Sequence, residues 1–324
     1  MPPPGADRSA ASAELAIETT GLSKRFGRQN AVDGIDLAVP RGSVFGFLGP
    51  NGSGKTTSIR MILGLITPTS GSARVLGEEM PRRIDEVLPR VGALVEGPAF
   101  LPFLSGAANL HRFDSADPRA VSATRRERIA SALDRVGLSH AARKKVHAYS
   151  LGMKQRLGLA NTLLMPRDLL VLDEPTNGLD PQGTREVRAL IRSLADEGTT
   201  VFVSSHLLAE IEQICTHAAV MSAGSLVAHG TLDELRRVGD ARVHVLTPDG
   251  DATRRTLVRM GLRIVEAPEP DLVVASLGDG VIEPEAIVAA LVADRVRVRG
   301  FSVERSSLED RFVALTGEGF DIVE

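Results

Sequence analysis

The segment that most constrains this chain is Gly49-Pro50-Asn51-Gly52-Ser53-Gly54-Lys55-Thr56, which fits the pattern G-x-x-x-x-G-K-[ST]. It stands between a compact apolar run, Val44 to Leu48, and a stretch of helical composition, Thr56 to Leu63. The order is therefore strand, glycine-rich loop, helix. In that setting the glycines let successive backbone N–H groups turn inward, and the helix beginning near Lys55 adds the positive end of its dipole. The loop is an anion cradle. Lys55 is placed to reach the β- and γ-phosphates of a nucleotide as a point charge, and the Thr56 hydroxyl to ligate Mg²⁺. Thr57 is expected to cap the helix and touch phosphate.

A second stretch carries chemistry. Leu169 to Leu172 reads as an apolar strand that ends in Asp173-Glu174, and alternation along a strand sends successive side chains to opposite faces. With Asp173 holding a water of the Mg²⁺ shell, Glu174 is free to polarise the water that attacks a γ-phosphate. A helix N-cap pair is the structural alternative.

The 324 residues accommodate two unequal domains. Lys and Arg number 38 against 41 Asp and Glu, and only 3% of residues are aromatic, so neither charge nor stacking surface favours a nucleic acid as partner. The single cysteine, Cys215, excludes an internal disulfide, and no Cys/His grouping has zinc-ligand spacing, so a reducing cytosol is the expected compartment. Met1 to Ala13, rich in Pro, Ala and Ser without an apolar core, reads as a disordered tail, not a secretory signal. The longest apolar runs fall short of a membrane span, Met61 to Ile66 being cut by Thr67-Pro68, so membrane contact must pass through a partner.

Along the chain, Leu15 to Arg41 reads as short antiparallel strands with turn signals at Gly27, Asp33-Gly34 and Pro40-Arg41-Gly42. Residues 96–165 read as a mainly helical insert, with helical spacing over Arg119 to Val136 and Arg156 to Leu164. Strand-like runs at Leu169 to Leu172, Thr200 to Ser204 and Ala218 to Met221 alternate with helical stretches, which implies a parallel core sheet. Past Leu235, strands are expected at Arg242 to Leu246, Arg263 to Val265, Leu272 to Ser276 and Val296 to Val303. Helices are expected at Ala252 to Met260, Pro284 to Ala293 and Leu308 to Leu315.

In order, the chain presents the phosphate loop, Tyr149-Ser150-Leu151-Gly152-Met153, the acidic strand, Gly178-Leu179-Asp180 and His206. This series resembles the ATPases of ABC transporters over roughly residues 15–235. The family's signature segment reads Leu-Ser-Gly-Gly-Gln; Ser150 and Gly152 are kept, Tyr149, Leu151 and Met153 depart, and Lys154-Gln155-Arg156 restores the match. The resemblance implies a P-loop α/β fold, namely a mixed sheet with an antiparallel β subdomain and a helical subdomain, followed by a small C-terminal α+β domain. The implied boundaries are a tail at 1–13, an ATPase domain at 14–235 and an accessory domain at 236–324.

The same resemblance implies that Ser150 and Gly152 face ATP bound on a second copy, so that a homodimer encloses two MgATP. His206 would hydrogen-bond the γ-phosphate and Asp180 would relay nucleotide state between the sites. Phe26, in Lys24-Arg25-Phe26-Gly27, would stack on adenine; for Phe26 core packing is the alternative, and for Asp180 a turn before Pro181. Where most of the family carries a glutamine that senses Mg²⁺, this chain has Glu96, whose carboxylate ligates the metal at least as well but cannot donate an N–H. Solvation at a loop is the alternative for Glu96. Glu96 and the Ser-Leu-Gly-Met-Lys-Gln-Arg segment are similar to the ATPase subunits of bacitracin- and antibiotic-type exporters. The expected function is ATP hydrolysis driving an integral-membrane permease from the inner face of the cell membrane. Phe100 to Leu104 lies where the family receives the permease, and it also suits ordinary packing. The alternative is a soluble ATPase of the same superfamily acting on translation or DNA, which would ordinarily show two cassettes or a long coiled coil, whereas here the motif series occurs once and 118 positions separate Lys55 from Asp173.

Overall fold

A computed structural model of the chain describes residues 14–95, 100–237, 241–265, 269, 271–277, 283–305 and 312. They fall into two compact units that part between Leu232 and Asp233.

The first unit contains two sheets. Strands β1 (Leu15–Phe26), β2 (Gln29–Ile35) and β3 (Ala38–Pro40) lead into β4 (Val44–Leu48) and helix α1 (Lys55–Ile62). Strands β5 (Ser70–Val75) and β6 (Glu78–Met80), the short helix α2 (Ile84–Val87) and β7 (Val91–Leu94) follow. The helical layer is α3 (Gly106–Ala116), α4 (Arg125–Arg135) and α5 (Leu151–Thr162). The chain then runs through β8 (Leu169–Asp173), α6 (Pro181–Asp196), β9 (Thr200–Ser205), α7 (Leu208–Ile214), β10 (His217–Ser222) and β11 (Ser225–Thr231). An antiparallel sheet has the order β2-β1-β5-β6, with β3 also on β1. The larger sheet has the order β11-β10-β4-β9-β8-β7 and is parallel from β10 to β7.

All five residues of β4 and of β8 are buried, as a parallel sheet covered on both faces requires. Phe45 and Phe202 stack with centroids 5.8 Å apart, and Phe47 tilts against Phe202 at 5.3 Å. One buried cluster joins these rings to Ile59, Met61 and Ile62 of α1 and to Ile17, Val39 and Val75 of the antiparallel sheet. Each fully buried side chain of this size contributes about 1.5–3 kcal/mol, so the core fixes the position of α1, and with it the loop that precedes it.

In the helical layer, Asp114 is completely buried and pairs with Arg125 at 2.6 Å and Arg128 at 2.7 Å, tying α3 to α4. Losing either arginine would leave a buried charge short of partners, a costly defect.

The second unit begins in α8 (Leu232–Arg237) and contains β12 (Ala241–Leu246), α9 (Gly250–Arg259), β13 (Arg263–Val265), β14 (Leu272–Ser276), α10 (Pro284–Ala293) and β15 (Gly300–Arg305). Its sheet is antiparallel in the order β13-β14-β12-β15, over a core that includes Val243, Val245, Leu257, Val273, Ile287 and Leu291.

Several local expectations are corrected. Asp33-Gly34 is not a turn: β2 runs through it, and Gly34 takes φ +62° where the pairing with β1 is irregular. β11 has no sequence signature, since half-buried residues along almost its whole length give no alternation to read. It returns from β10 through Ala223 and Gly224, both at positive φ. The helix expected over Arg119 to Val136 begins only at Arg125, after a short 3₁₀ turn, and the last strand lies at 300–305, not 296–303. The helix expected at Leu308 to Leu315 lies outside the described residues apart from Phe312.

Candidate active site

The loop between β4 and α1 is shaped by glycine. Gly54 has φ +104°, and a Cβ there would stand 2.4 Å from the Ala31 carbonyl oxygen. Gly49 is in ordinary space for its backbone, but a Cβ would meet the Met221 carbonyl oxygen and Ser53 Oγ, each at 2.6 Å. The backbone can therefore take this path only without side chains at these points. Gly54 is itself the N-cap of α1, with no side-chain cap. Thr57 therefore does not cap the helix as expected; it sits inside the first turn, and the amino end of α1 is left for a ligand.

Lys55 is buried and folds back over the loop, donating from Nζ to the carbonyl oxygens of Gly49 at 2.5 Å and Pro50 at 3.1 Å. Burial lowers its pKa from the ordinary lysine value, against the opposing charges of Glu174 and Asp173. Ser53 Oγ is buried with no hydrogen-bond partner. A buried hydroxyl left unspent costs free energy unless a ligand engages it, and in this loop the ligand it suits is a phosphate oxygen.

The two acids arrive from the far end of β8. Parallel pairing sets Asp173 level with Ser204 of β9, and β9 sets Phe47 of β4 level with Ser204. The carboxyl ends of three strands thus converge beside the loop. Asp173 Oδ2 accepts from Thr56 Oγ1 at 2.9 Å, and Oδ1 accepts from Ser204 Oγ at 2.5 Å. Glu174 follows at φ +48°, a left-handed conformation that costs a non-glycine residue about 1–3 kcal/mol. It is held there from both sides: its N–H donates to Ser204 Oγ at 3.0 Å, and its carbonyl accepts from Gln155 Nε2 at 3.1 Å. The side chain then meets His206 Nδ1 at 2.8 Å through Oε2, while Oε1 stands 3.7 Å from Lys55 Nζ.

The structure thus brings together Gly49 to Thr57, Asp173, Glu174 and His206. Other expected residues stand apart from them. Ser150 is the N-cap of α5, its Oγ accepting from Met153 N at 3.2 Å, and among the described residues no hydrogen bond joins Ser150 or Gly152 to the phosphate loop. A Cβ on Gly152 would stand 3.0 Å from Leu179 Cδ2, and one on Gly178 2.4 Å from Leu151 Cδ2, so the two segments pack closely on each other. Leu151 itself remains 66% exposed. Asp180 caps α6, accepting from Gly183 N at 2.8 Å ahead of Pro181. Phe26 is 52% exposed, with Lys24 Nζ 5.2 Å from its ring centroid, so core packing does not account for it. Glu96 lies outside the described residues; the strand before it, β7, ends with Leu94 level with Leu172.

Ser204 and Gln155 were not singled out from the sequence as site residues. The available signal for Ser204 was a polar pair ending an otherwise apolar strand; Gln155 lies in the segment that restores the match to the family's signature, but its partner, a backbone carbonyl 19 positions away, has no mark in the sequence. Among the described residues no three His, Cys, Asp or Glu side chains form a metal cluster. A cavity of about 930 Å³ lined by residues that include Arg167, Asp168 and Thr200 lies at the opposite ends of β8 and β9 and contains none of Gly49 to Thr57, Asp173, Glu174 and His206.

Comparison with known proteins places this geometry among relatives. Residues 32–177 match a family model described as "ABC transporter". The chain is 46% identical over 222 residues to the bacitracin transport ATP-binding protein BcrA of Bacillus licheniformis, covering 68% of this chain and 71% of that one. It is 37% identical over 311 residues to the daunorubicin/doxorubicin resistance ATP-binding protein DrrA of Streptomyces peucetius, covering 94% of each. Among solved structures, an ATP-binding subunit of an ABC transporter is similar with TM-score 0.63 and 26% identity, over 68% of this chain and 92% of that one. A dimeric post-hydrolysis ATP-binding cassette bound to ADP and Pi shares the fold, with TM-score 0.62 and 21% identity over 67% of this chain and 98% of that one.

Proposed function

This chain belongs to the ATP-binding subunits of ABC transporters and is an ATP hydrolase, and from that premise we propose that its hydrolysis drives export by a separate membrane permease. The observation that carries the chemical part is the placement of Glu174: one carboxylate oxygen on His206, the other facing the lysine of the phosphate loop.

In this reading the loop N–H groups, Ser53 Oγ and Lys55 hold the β- and γ-phosphates. Thr56 and Asp173 present adjacent hard oxygen donors that suit Mg²⁺, a cation that takes few protein ligands and completes its shell with phosphate and water. Bound there, the metal would offset charge on the phosphate oxygens. Glu174 accepts a proton from the water that attacks the γ-phosphorus as ADP leaves, and His206 orients Glu174 through Nδ1, leaving its other ring nitrogen to meet the γ-phosphate. Glu96, from its place in the sequence, would approach the same metal. Phe26, exposed at the end of β1, would stack on adenine.

Ser150, Gly152 and Asp180 act across a homodimer that encloses two nucleotides. This is supported by the absence, among the described residues, of any hydrogen bond from Ser150 or Gly152 to this chain's own loop. The division at 14–235 and 236–324 assigns nucleotide chemistry to the first part and dimer support or regulation to the second.

The export reading rests on the relatives' roles in bacitracin transport and in daunorubicin and doxorubicin resistance. No helix among the described residues is long and apolar enough to cross a membrane, so a permease would supply the spans and the peripheral attachment at the inner face. The chemical reading is tested by Glu174→Gln in the purified full chain. Loss of ATP hydrolysis with retained ATP binding, and a shift to dimer in ATP on size-exclusion chromatography, is expected. Hydrolysis at the wild-type rate would overturn it.

A further inference from the structure

Glu210 lies on α7 and is 8% exposed, yet among the described residues no cation lies within ion-pair distance of it. A carboxylate buried without a cation is costly, and a helix facing the core is served better by the apolar neighbours Leu208, Ile211 and Ile214, which are also buried. What Glu210 does have is two hydroxyl donors on a single oxygen. Thr176 Oγ1 donates to Oε2 at 2.7 Å and Ser205 Oγ donates to the same Oε2 at 3.0 Å.

The two donors come from different segments. Thr176 lies two residues after Glu174, and Ser205 lies one residue before His206. Ser205 Oγ also accepts from Leu207 N at 3.0 Å, which pins the backbone on the far side of the histidine. One buried oxygen therefore ties the turn that carries Glu174 to the turn that carries His206.

We propose that Glu210 is a positioning residue for hydrolysis: by gathering Thr176 and Ser205 on Oε2 it sets the separation and orientation of Glu174 and His206. The inference rests on the roles given to those two residues above. Glu174 is already in a strained conformation, so its side chain points at the histidine only while the surrounding bonds over-determine the turn. Ser204 and Gln155 hold the Glu174 backbone; neither reaches the segment at Thr176, and neither fixes the histidine. Beside the Ser204 bond to the Glu174 N–H and the direct His206–Glu174 contact, Glu210 adds a buried tie between the two turns through Thr176 and Ser205. Among the described residues its hydrogen bonds go to Thr176 and Ser205 and not to the phosphate loop, so its loss should leave ATP affinity in place and misalign the acid–base pair.

The test compares Glu210→Ala, Glu210→Gln and Thr176→Val with Glu174→Gln in the full chain, measuring kcat, KM for ATP and nucleotide binding at equilibrium. Misplacing a catalytic group by about 1 Å costs on the order of 100-fold in rate. Glu210→Ala is therefore expected to lower kcat by about 10- to 100-fold with KM and binding within about twofold, and Thr176→Val to lower kcat less. Glu210→Gln keeps an oxygen acceptor and is expected to recover most of the rate. Thr176→Val deletes one hydroxyl without changing volume, and it carries the test should Glu210→Ala fold poorly. Wild-type kcat in Glu210→Ala and Thr176→Val, with Glu174→Gln inactive, overturns the inference while leaving the function standing. A parallel fall in nucleotide binding and kcat overturns it as well, because Glu210 would then support the fold at large. An active Glu174→Gln instead removes the reading on which the inference rests.

Discussion

Thr56 Oγ1 donates to Asp173 Oδ2 at 2.9 Å, joining the first turn of α1 to the last residue of β8 across 117 positions of sequence. Two oxygen atoms that suit a hard divalent cation are thereby held side by side, and Ser204 secures the other Asp173 oxygen.

Removing either member should uncouple nucleotide binding from Mg²⁺. For Thr56→Val and Asp173→Asn, the gain in ATP affinity on adding Mg²⁺ is expected to fall by about tenfold or more, roughly the worth of one charge-assisted contact. Equilibrium binding of a fluorescent ATP analogue, with and without EDTA, measures it. An undiminished Mg²⁺ effect in both variants would remove these residues from the metal site.

Glu174→Gln should do two things. Hydrolysis falls by about 10²- to 10⁴-fold, the usual worth of a positioned general base. In the nucleotide-free protein the lysine should also respond. Because the Glu174 charge raises the Lys55 pKa against burial, removing it shifts that pKa further down. An NMR titration of the Lys55 side chain reads the direction, and an upward shift would contradict the electrostatic account.

Gly54→Ala tests the loop's geometry. The substitution asks alanine to adopt φ +104° with its Cβ 2.4 Å from a backbone oxygen. The backbone conformation alone costs about 1–3 kcal/mol, and the contact can be relieved only by moving the chain. Nucleotide binding is expected to be lost at concentrations that saturate the parent. Retained affinity would show that the loop tolerates another path.

Glu96→Gln addresses a residue known here only from the sequence. The amide would restore an N–H and remove a negative charge beside the triphosphate, so the Mg²⁺ concentration needed for half-maximal hydrolysis should rise. An unchanged Mg²⁺ dependence would return Glu96 to the status of a solvated loop residue.

The second unit carries a pH signature. Hydrogen bonds from the Arg297 side chain, at 2.6 and 2.9 Å, hold the Asp249 carboxyl down to about 2. A carboxyl whose pKa is lower in the folded state binds fewer protons there. Its stabilisation is therefore full above the unfolded value of about 4 and fades as pH falls through the folded value. The difference in melting temperature between the parent and Asp249→Asn should be constant near neutrality and shrink below about pH 4. A difference that grows on acidification would refute the assignment.

The sequence by itself determined the chemistry's ingredients. The phosphate loop, Asp173 and Glu174 were legible as local patterns, a glycine spacing between strand and helix and an acid pair ending an apolar run, while His206 was marked only by its place in the motif series that resembles the family. The core strands and most helices were legible for the same reason, since hydrophobic periodicity is a property of neighbouring residues. Tertiary structure alone decided what those residues touch. Ser204 binds Asp173 and supports Glu174 because parallel pairing of β8 and β9 sets it level with them, a register no local pattern encodes. Gln155 reaches a carbonyl, which carries no side-chain signature. Glu210 reads as an ordinary polar residue in a short helix until the fold places Thr176 and Ser205 on one of its oxygens. The αL turn at Glu174 belongs to the same class: a strained backbone persists only where distant groups over-determine it, and those groups meet only in the folded chain.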